Sequence, residues 1–302
     1  MQSKKVGIVV VTYNRLKLLK EVIDSLRAQT YQNHQIVVIN NGSTDGTPEW
    51  LAEQADLKVI TQGNLGGAGG FHTGMKWVAE NAFDLCWVMD DDVVCHLDAL
   101  QELVSAYDAK PGIGFVCSKV VGIDGSPMNT PVVDNRPTAN GYAYFCDLID
   151  RQMIKVMAST FVSVLLSTDV IREVGLPIKE FFIWGDDTEY THRVSLRYDS
   201  YLVCKSTVVH KRAVQGGLNF YTETNPKRLK NFFYLFRNND YTNLRESTRN
   251  QKIKWFLKRM YHVLRLTLKG DFKRASILWK AAVALRRFNP PIVFPTQPDP
   301  QG

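Results

Sequence analysis

Three consecutive carboxylates, Asp90-Asp91-Asp92, follow directly on the apolar run from Cys86 to Met89. This pattern is typical of a buried strand that ends at a solvent-facing edge. Adjacent like charges repel one another, and a hard divalent cation is the partner that clustered carboxylate oxygens favour. The sequence therefore predicts a metal site at this triplet, with an acidic surface turn as the simpler alternative.

A second acidic cluster, Asp186, Asp187 and Glu189, follows Trp184-Gly185 and begins a predicted helix that runs to about residue 197. Carboxylates in the first turn of a helix are stabilised by its dipole, and this explains one or two of them. A pair of aspartates beside Trp-Gly is also a suitable place for a general base. We therefore predict a catalytic carboxylate in this cluster.

His210 comes directly after a predicted strand at 201–209. A lone histidine is most often structural or solvated. Neutral imidazole also binds metals, and a strand lying beside the others in the sheet could bring His210 to the carboxylate triplet.

Alternating strands and helices must position these residues. Strands are predicted at 6–11, 35–39, 57–60, 86–89, 112–121 and 155–167, and residues 122–150 are predicted to be a long irregular insertion. Asn14 and Thr47 are predicted helix caps. The order indicates an α/β fold with a doubly wound, mostly parallel sheet, whose ligands bind beyond the carboxyl ends of the strands. Four polar stretches lie at those ends: 12–15, 40–45, 64–70 and 90–92.

The glycine-rich stretch Gly66-Gly67-Ala68-Gly69-Gly70 lacks the GxGxxG spacing of dinucleotide-binding loops and the Gly-Lys-Ser/Thr ending of a P-loop. Glycines at a helix start allow backbone N–H groups to approach an anionic ligand closely. A ligand-facing loop is the favoured interpretation, and a flexible turn is the alternative.

The charge of the chain is concentrated in one segment. The 302 residues carry a net charge of +7, but 251–290 hold eleven Lys or Arg and one Asp, so this segment is +10 and the remainder is −3. Basic residues alternate there with apolar ones, including Trp255, Phe256, Phe272 and Trp279. Such helices bind anionic membrane surfaces, or they pack on the body with a solvated basic face.

Hydrophobic residues make up 45% of the chain, enough for a sizeable core. The predicted organisation is a catalytic domain at 1–225, a basic helical region at 226–289 and a proline-rich, extended or disordered tail at 290–302. We expect no signal peptide, because an apolar strand starts by Val6, and no run is long enough to span a membrane. The five cysteines lack metal-type spacing, so we expect reduced thiols in a cytosolic protein.

Six motifs occur in an order that resembles family 2 glycosyltransferases of the GT-A fold, above all galactofuranosyltransferases and next rhamnosyltransferases. The resemblance covers roughly 6–240. The motifs are Thr12–Arg15, Asn41–Thr47, Asn64–Phe71, Met89–Asp92, Trp184–Tyr190 and Arg237-Asn238.

The resemblance implies roles for individual residues. Asp90, Asp92 and His210 would hold Mn²⁺ or Mg²⁺, and Asp187 would be the general base of an inverting transfer. Trp184, Asp186 and Glu189 would bind the acceptor. The expected nucleotide-sugar-binding residues are Thr12, Tyr13, Arg15, Asn40, Asn64, Gly66, Gly67, Gly69, Asp90 and Asp91.

The implied donor is UDP-galactofuranose, with dTDP-rhamnose second, and the implied acceptor is a glycan or lipid-linked glycan of cell-surface polysaccharide such as O-antigen or capsule. The expected location is cytoplasmic, at the inner face of the plasma membrane. Two further alternatives are a sugar-phosphate nucleotidyltransferase and a non-enzymatic binder of anionic polymers. The acidic motifs argue against the second, and we expect no nucleic-acid partner.

Overall fold

The computed structural model describes residues 3–212, 218–245 and 247–297. Its first part alternates strands and helices: β1 Val6–Thr12, α1 Leu16–Arg27, β2 His34–Asn40, α2 Thr47–Ala52, β3 Lys58–Thr61, α3 Gly66–Glu80 and β4 Leu85–Asp90. Each strand is a run of β-branched or other apolar residues, as buried parallel strands require. The predicted strands and helices of this part are confirmed to within a few residues.

The next part is less regular: β5 Val93–Cys95, α4 Ala99–Tyr107, β6 Ile113–Val121, β7 Val132–Val133, β8 Met153–Ala158, β9 Val164–Ser167, α5 Thr168–Val174, α6 Asp186–Ser195 and β10 Asp199–His210. Three helices follow: α7 Pro226–Leu244, α8 Arg249–Leu268 and α9 Phe272–Leu285.

The strands form one sheet in the order β3-β2-β1-β4-β9-β6-β10-β8-β7, with β5 paired to β10. β1, β2, β3 and β4 are parallel, as are β6 and β10, whereas β9 is antiparallel to both β4 and β6. The α/β fold is therefore confirmed, with a mixed sheet joining two parallel sets.

The prediction of a single strand at 155–167 is wrong, because this stretch contains parts of two strands, β8 and β9, that lie in different places in the sheet. Polar residues interrupt the apolar run, and two of them, Ser159 and Ser163, form hydrogen bonds with side chains of other elements. The Ser159 N–H donates to Thr191 Oγ1 (2.9 Å), and Ser163 Oγ accepts from the Trp87 indole (2.9 Å). These bonds replace ladder bonds where the chain leaves β8 and enters β9.

Both predicted caps are wrong. Thr47 is the first residue of α2, and Gly46, with φ +82°, occupies the cap position. At the start of α1, the N–H of Leu16 donates a hydrogen bond to Asp45 Oδ2 at 3.1 Å. The carboxylate of Asp45, from the loop after β2, therefore caps this helix. Asn14 cannot be the cap because it lies one residue too early and has φ +54°.

Helices cover both faces of the sheet. On one face Ile8 and Val10 pack with residues of α1 and α4, and on the other Val9 and Val11 pack with α3, α5 and α6. Full burial of such side chains stabilises the fold by about 1.5–3 kcal/mol each. The packing of helices on both faces of the sheet fixes the positions of the carboxyl ends of β1, β2, β4 and β10.

The C-terminal helices have their own apolar cluster, in which Phe232 of α7 meets Phe220, Leu266 and Leu278. Residues 290–297 have no regular secondary structure and contact the body, where the N–H of Leu176 donates to the Val293 carbonyl at 2.8 Å. Residues 298–302 of the expected proline-rich tail lie outside the described part of the chain.

The structure corrects the expected membrane-facing residues of this region. Trp255 and Phe256 are half-buried and line a cavity between α7, α8 and α9, whereas Phe272 and Trp279 are exposed. Among the described residues, none of the helices is both long enough and apolar enough to cross a membrane. All five cysteines are free thiols.

Candidate active site

The carboxylate triplet lies where β4 ends, next to the carboxyl end of β1. Asp91 and Asp92 are buried, so the acidic surface turn is excluded for them. The Thr12 hydroxyl donates to Asp91 Oδ2 (2.7 Å), and Arg15 Nη1 lies 3.2 Å from Asp91 Oδ1 and 2.7 Å from Asp92 Oδ2. The parallel register of β1 and β4 brings the two strand ends together and makes these contacts possible.

His210 joins the triplet, as the sequence predicted. It is the last residue of β10, and the antiparallel pairing of β10 with β5 places it opposite Val93, one residue beyond Asp92. Its Nε2 lies 3.1 Å from Asp92 Oδ1, and its Nδ1 lies 2.9 Å from Asn129 Oδ1. Asn129 belongs to the irregular insertion, and sequence reasoning missed it because no periodic pattern links it to the site.

These residues fit a divalent cation. One ligand atom from each of Asp90, Asp92 and His210 can be chosen so that all three lie within 4.8 Å of one another. Asp92 Oδ1 is buried and accepts no hydrogen bond of normal geometry from any described residue. Two carboxylates and one imidazole form a donor set that suits Mn²⁺, and Mg²⁺ accepts the carboxylate part of it.

The electrostatics of the triplet agree with this fit. Burial, and then the charges of Asp92 and Asp91, raise the pKa of Asp90 well above its usual value. Burial raises the pKa of Asp91 to about 6 against the opposing effects of Arg15 and Thr12. Burial also acts to raise the pKa of Asp92, but His210 and Arg15 outweigh it and lower that pKa. A bound cation would favour the ionised form of all three.

The second acidic cluster occupies the first turn of α6. Burial raises the pKa of Asp186 to about 8 and that of Asp187 to about 6. The charge of Asp187 is one of the causes that raise the pKa of Asp90, so the two clusters interact. Asp187 is the less buried of the pair, and its Oδ1 accepts from the N–H of Thr188 at 2.7 Å.

The loop before α6 is strained. Phe182 and Trp184 have φ of +65° and +63°, values that side-chain-bearing residues rarely adopt, and Gly185 has φ +92°. The Asn238 amide holds this loop by donating to the carbonyls of Phe181, Ile183 and Trp184 at 3.0, 3.3 and 2.8 Å.

Arg237 adds bonds to the Glu180 and Phe181 carbonyls at 2.7 and 3.3 Å, and its guanidinium lies 3.8 Å from the ring centroid of Phe288. Sequence reasoning gave the Arg237-Asn238 pair no role, although its place in the ordered motifs was a signal. The structure makes it the support of the loop that leads to Asp187.

The glycine-rich stretch is helical, so the flexible-turn alternative is wrong. It forms the first turns of α3, and Gly66 has φ +72°. A Cβ on Gly66 would overlap the Phe182 carbonyl, and one on Gly70 would overlap Val11. Gly69 is buried against Leu65, and only Gly67 among these four has open space beside it. Close packing of α3 on β1 and on the strained loop therefore explains most of these glycines.

The other expected nucleotide-sugar-binding residues lie at the same edge. Asn40 Oδ1 accepts from the N–H of Ser43 at 2.9 Å, while its Nδ2 is buried without a partner among the described residues. Asn64 Oδ1 accepts from the N–H of Gly66 at 2.9 Å, and Tyr13 is exposed. The free amide of Asn40 is a donor that a ligand could use.

Two expected acceptor-binding residues already have partners. Glu189 is buried and pairs with Arg193 at 2.9 and 3.0 Å and with Arg245 at 3.6 Å. The Trp184 ring packs on Phe232 with the centroids 5.4 Å apart. An acceptor role for them stays a prediction.

The model of glycosyl transferase family 2 matches residues 7–166, and the chain belongs to this family. It is therefore a glycosyltransferase.

Curated relatives and solved structures agree with this assignment. Galactofuranosyltransferase GlfT1 of Mycobacterium tuberculosis (strain H37Rv) is 27% identical over 229 residues, which are 73% of this chain and 68% of the relative. The protein of the same name from Mycolicibacterium smegmatis is 26% identical over 222 residues, 71% of this chain and 67% of the relative.

Two solved structures share the GT-A fold. The structure of S. aureus TarS 1–349 in complex with UDP matches with a TM-score of 0.56 at 15% sequence identity. The match covers 82% of this chain and 68% of the TarS chain. Mannosyltransferase PcManGT from Pyrobaculum calidifontis, in complex with GDP-Man and Mn²⁺, matches with a TM-score of 0.51 at 16% sequence identity. The match covers 95% of this chain and 88% of the PcManGT chain.

Proposed function

We propose that this glycosyltransferase is inverting and metal-dependent, and that it moves a sugar from a nucleoside-diphosphate donor to a hydroxyl of a glycan acceptor. One observation carries the proposal: a cation-binding set, Asp90, Asp92 and His210, interacts electrostatically with a separate carboxylate, Asp187. Breaking a sugar–diphosphate bond and deprotonating a hydroxyl need these two functions in one pocket.

The cation, when bound, neutralises the charge that develops on the departing diphosphate. The chain's own residues prepare for it. Asn129 Oδ1 accepts from His210 Nδ1, so a metal-bound His210 would use Nε2, the nitrogen that faces Asp92. Arg15 brings a positive charge to the same edge, where it now neutralises Asp91 and Asp92.

Asp187 takes the acceptor hydroxyl proton in this proposal. A pKa of about 6 leaves most of the carboxylate ionised at neutral pH and makes it a better base than an ordinary aspartate. Asp186, with a pKa of about 8, stays mostly protonated and cannot serve as that base. The strained loop and Asn238 fix the start of α6 and so the position of Asp187.

We propose UDP-galactofuranose as the donor, supported by the similarity to relatives named galactofuranosyltransferase and by the motifs at 64–71 and 184–190. The proposed acceptor is a glycan or lipid-linked glycan of cell-surface polysaccharide. dTDP-rhamnose is the competing donor.

The proposed location is the inner face of the plasma membrane. One face of α8 carries apolar side chains that are all exposed by 48% or more: Ile253, Leu257, Tyr261, Leu264 and Leu268. We call these five residues the α8 stripe. Basic residues such as Lys254, Lys258 and Arg265 flank it. An apolar stripe with a basic border is suited to an anionic bilayer surface.

A donor screen tests the proposed activity. Purified protein is incubated with Mn²⁺ and a panel of nucleotide sugars, and release of the nucleoside diphosphate is measured with and without a glycan acceptor. We expect UDP release from UDP-galactofuranose, and loss of it in EDTA. Turnover with dTDP-rhamnose but not UDP-galactofuranose would overturn the donor, and full activity in EDTA would overturn the metal.

A further inference from the structure

A cavity of about 380 Å³ lies between α7, α8 and α9, apart from the acidic clusters. Its lining has two chemical parts. Trp255, Phe256, Leu285 and Phe288 contribute apolar surface, and three cationic side chains, Arg245, Lys252 and Arg286, stand around it. None of the described residues that line it is acidic.

The apolar wall is fixed by buried polar contacts. The Trp255 indole donates to Asp240 Oδ1 at 2.8 Å, and Asp240 is buried and paired with Arg259 at 2.5 Å. On the other side Phe288 packs edge-on against Tyr241 with the centroids 5.4 Å apart. These contacts hold the aromatic side chains in place without any ligand, so the cavity is largely preformed.

The cations are available for a partner. Lys252 and Arg286 are exposed at the rim, and the Phe256 ring, 6.0 Å away, is the contact that the structure shows for Arg286. Arg245 has one long ion pair, at 3.6 Å, with Glu189. Three positive charges around one opening attract an anion, and guanidinium groups suit phosphate oxygens because they donate two parallel hydrogen bonds.

We propose that this cavity binds an amphiphile that carries a phosphate or diphosphate head on a hydrocarbon chain. The chain would occupy the aromatic wall, and the head would contact Arg245, Lys252 and Arg286. A small soluble anion would leave the apolar surface unused, and an uncharged lipid would leave three cations without a partner. The combination of both surfaces in one cavity selects a ligand with both parts.

The position of Arg245 brings this cavity close to helix α6. Arg245 also lines a neighbouring cavity of about 740 Å³, which Thr188 and Glu189 line as well. Thr188 follows the proposed base Asp187 in α6. A phosphate head at Arg245 would therefore lie beside the first turn of α6, the turn that carries Asp187.

The amphiphile is then the lipid end of the acceptor, an assignment that rests on the proposed function. The binding of an amphiphilic phosphate to this cavity does not depend on that function. Lys252 and Phe256 each precede a residue of the α8 stripe, Ile253 and Leu257, so the cavity opens beside the face proposed to meet the bilayer.

Isothermal titration calorimetry without donor or metal tests the site. Dodecyl phosphate below its micelle-forming concentration is the probe. Dodecyl maltoside supplies the chain with an uncharged head, and inorganic phosphate supplies the head alone. We expect saturable, stoichiometric binding of dodecyl phosphate, and for each of the other two an affinity at least about tenfold lower, because each loses one part of the contact.

Two double variants locate the binding. Lys252→Glu with Arg286→Glu reverses two cavity charges and is expected to weaken dodecyl phosphate binding at least about tenfold. Lys254→Glu with Arg287→Glu makes the same change in net charge on exposed side chains outside the cavity lining, and a loss of less than about threefold is expected. All four positions are exposed, so both variants should unfold at the wild-type temperature.

Equal loss in the two double variants would show unspecific attraction and overturn the site. Inorganic phosphate binding as tightly as dodecyl phosphate would show an anion site without a chain. Dodecyl maltoside binding equally well would show an apolar groove without a phosphate site. Because the titration contains no donor, its failure would leave sugar transfer untouched, and a failed transfer assay would leave this binding result intact.

Discussion

Asn129 Oδ1 lies 2.9 Å from His210 Nδ1, so a residue of the irregular insertion sets the orientation of the histidine beside the carboxylates. Because an amide oxygen only accepts, Asn129 Oδ1 favours a proton on His210 Nδ1, and a metal-bound His210 would then use Nε2. Partners of metal-bound histidines commonly change metal affinity about 10–100-fold when they are removed.

Asn129→Ala should therefore raise the Mn²⁺ concentration needed for half-maximal donor hydrolysis by about 10-fold or more. Activity at saturating Mn²⁺ should recover in part. Thr130→Ala, at the exposed neighbouring position, is the control and should follow the wild type. An unchanged Mn²⁺ dependence in Asn129→Ala would show that His210 does not depend on this bond.

Metal binding should stabilise the fold. Asp90, Asp91 and Asp92 are crowded, and a ligand that binds only the native state stabilises it by about 2.7 kcal/mol at about 100 times its dissociation constant. Mn²⁺ together with UDP should raise the melting temperature of the wild type but not of Asp92→Asn. Asp98→Asn is the control, because Asp98 is exposed and its side chain makes no capping hydrogen bond to α4. This variant should show the same rise in melting temperature as the wild type. An equal shift in Asp92→Asn would place the metal elsewhere.

Asp187→Asn should lower turnover at least about 10²-fold and leave the KM for the donor nearly unchanged, because it preserves shape and removes the base. The active form is the ionised carboxylate with a pKa of about 6. Wild-type turnover should therefore rise with pH through about 6 and level off above it, with the rise moved lower by a bound cation. A variant that keeps wild-type turnover would mean that another carboxylate is the base.

Asp186→Asn should behave in the opposite way. Its folded-state pKa of about 8 lies above the unfolded value of 3.8, so the folded state keeps a proton that the unfolded state releases. The free energy of unfolding of the wild type therefore falls as pH rises from about 4 to 8. The Asp186→Asn variant has no carboxyl at this position and does not lose this stability. The variant should keep most turnover and melt at a higher temperature, by a margin that grows up to pH 8. A lower melting temperature at pH 8 would contradict the protonated state of Asp186.

Removing the Asn238 amide should damage catalysis through the loop before α6. Asn238→Ala removes the side-chain donor from the carbonyls of Ile183 and Trp184, whereas the Phe181 carbonyl keeps Arg237. The change should cost about 1–3 kcal/mol in stability and lower turnover more than donor affinity. Asn231→Ala, on the same helix, is the control. A normal turnover number in a folded Asn238→Ala protein would show that the strained loop needs no such support.

Membrane attachment can be tested on the α8 stripe. Leu257→Glu should release the protein from vesicles containing about 30% anionic lipid in a flotation assay, because it places a charge in the inserted face. Gln251→Glu makes the same change in charge within a capping box that accepts Glu, so it should float like the wild type. If the wild type fails to float at low salt, the helices are only structural.

The structure argues against testing attachment by truncation near residue 250. Such a cut removes Leu266 and Leu278, which form one cluster with Phe232, and Phe288, which stacks on Arg237. Loss of activity would then report a damaged catalytic loop. The expected boundary at residue 225 stays a prediction, and Arg237 and Asn238 bond the loop before α6 across it.

Much of the fold and site was predictable where local pattern and topology agree. Asp90–Asp92 could be placed because a buried apolar run ended in charges, and His210 because parallel strands bring their ends to one edge. The antiparallel insertion of β9 could not be foreseen, since an apolar run does not reveal which neighbours it pairs with.

Contacts that depend on distant segments were also invisible. Asn129 reaches His210 across 81 positions of sequence, and Asn238 reaches the loop before α6 across more than 50. Periodicity likewise marked Trp255 and Phe256 only as apolar. Which side of α8 faces the body is decided by the buried Asp240, which bonds the Trp255 indole.

The stacking of Arg237 on Phe288 sets an order of events during synthesis. The sheet and its acidic clusters are complete once His210 has been made, and such a unit can begin to fold while the chain is growing. The bonds of Arg237 to the loop before Asp187 gain their aromatic support only after residue 288 has left the ribosome. A nascent chain can therefore fold its cation site well before the base is held in place, and catalytic competence should arrive last.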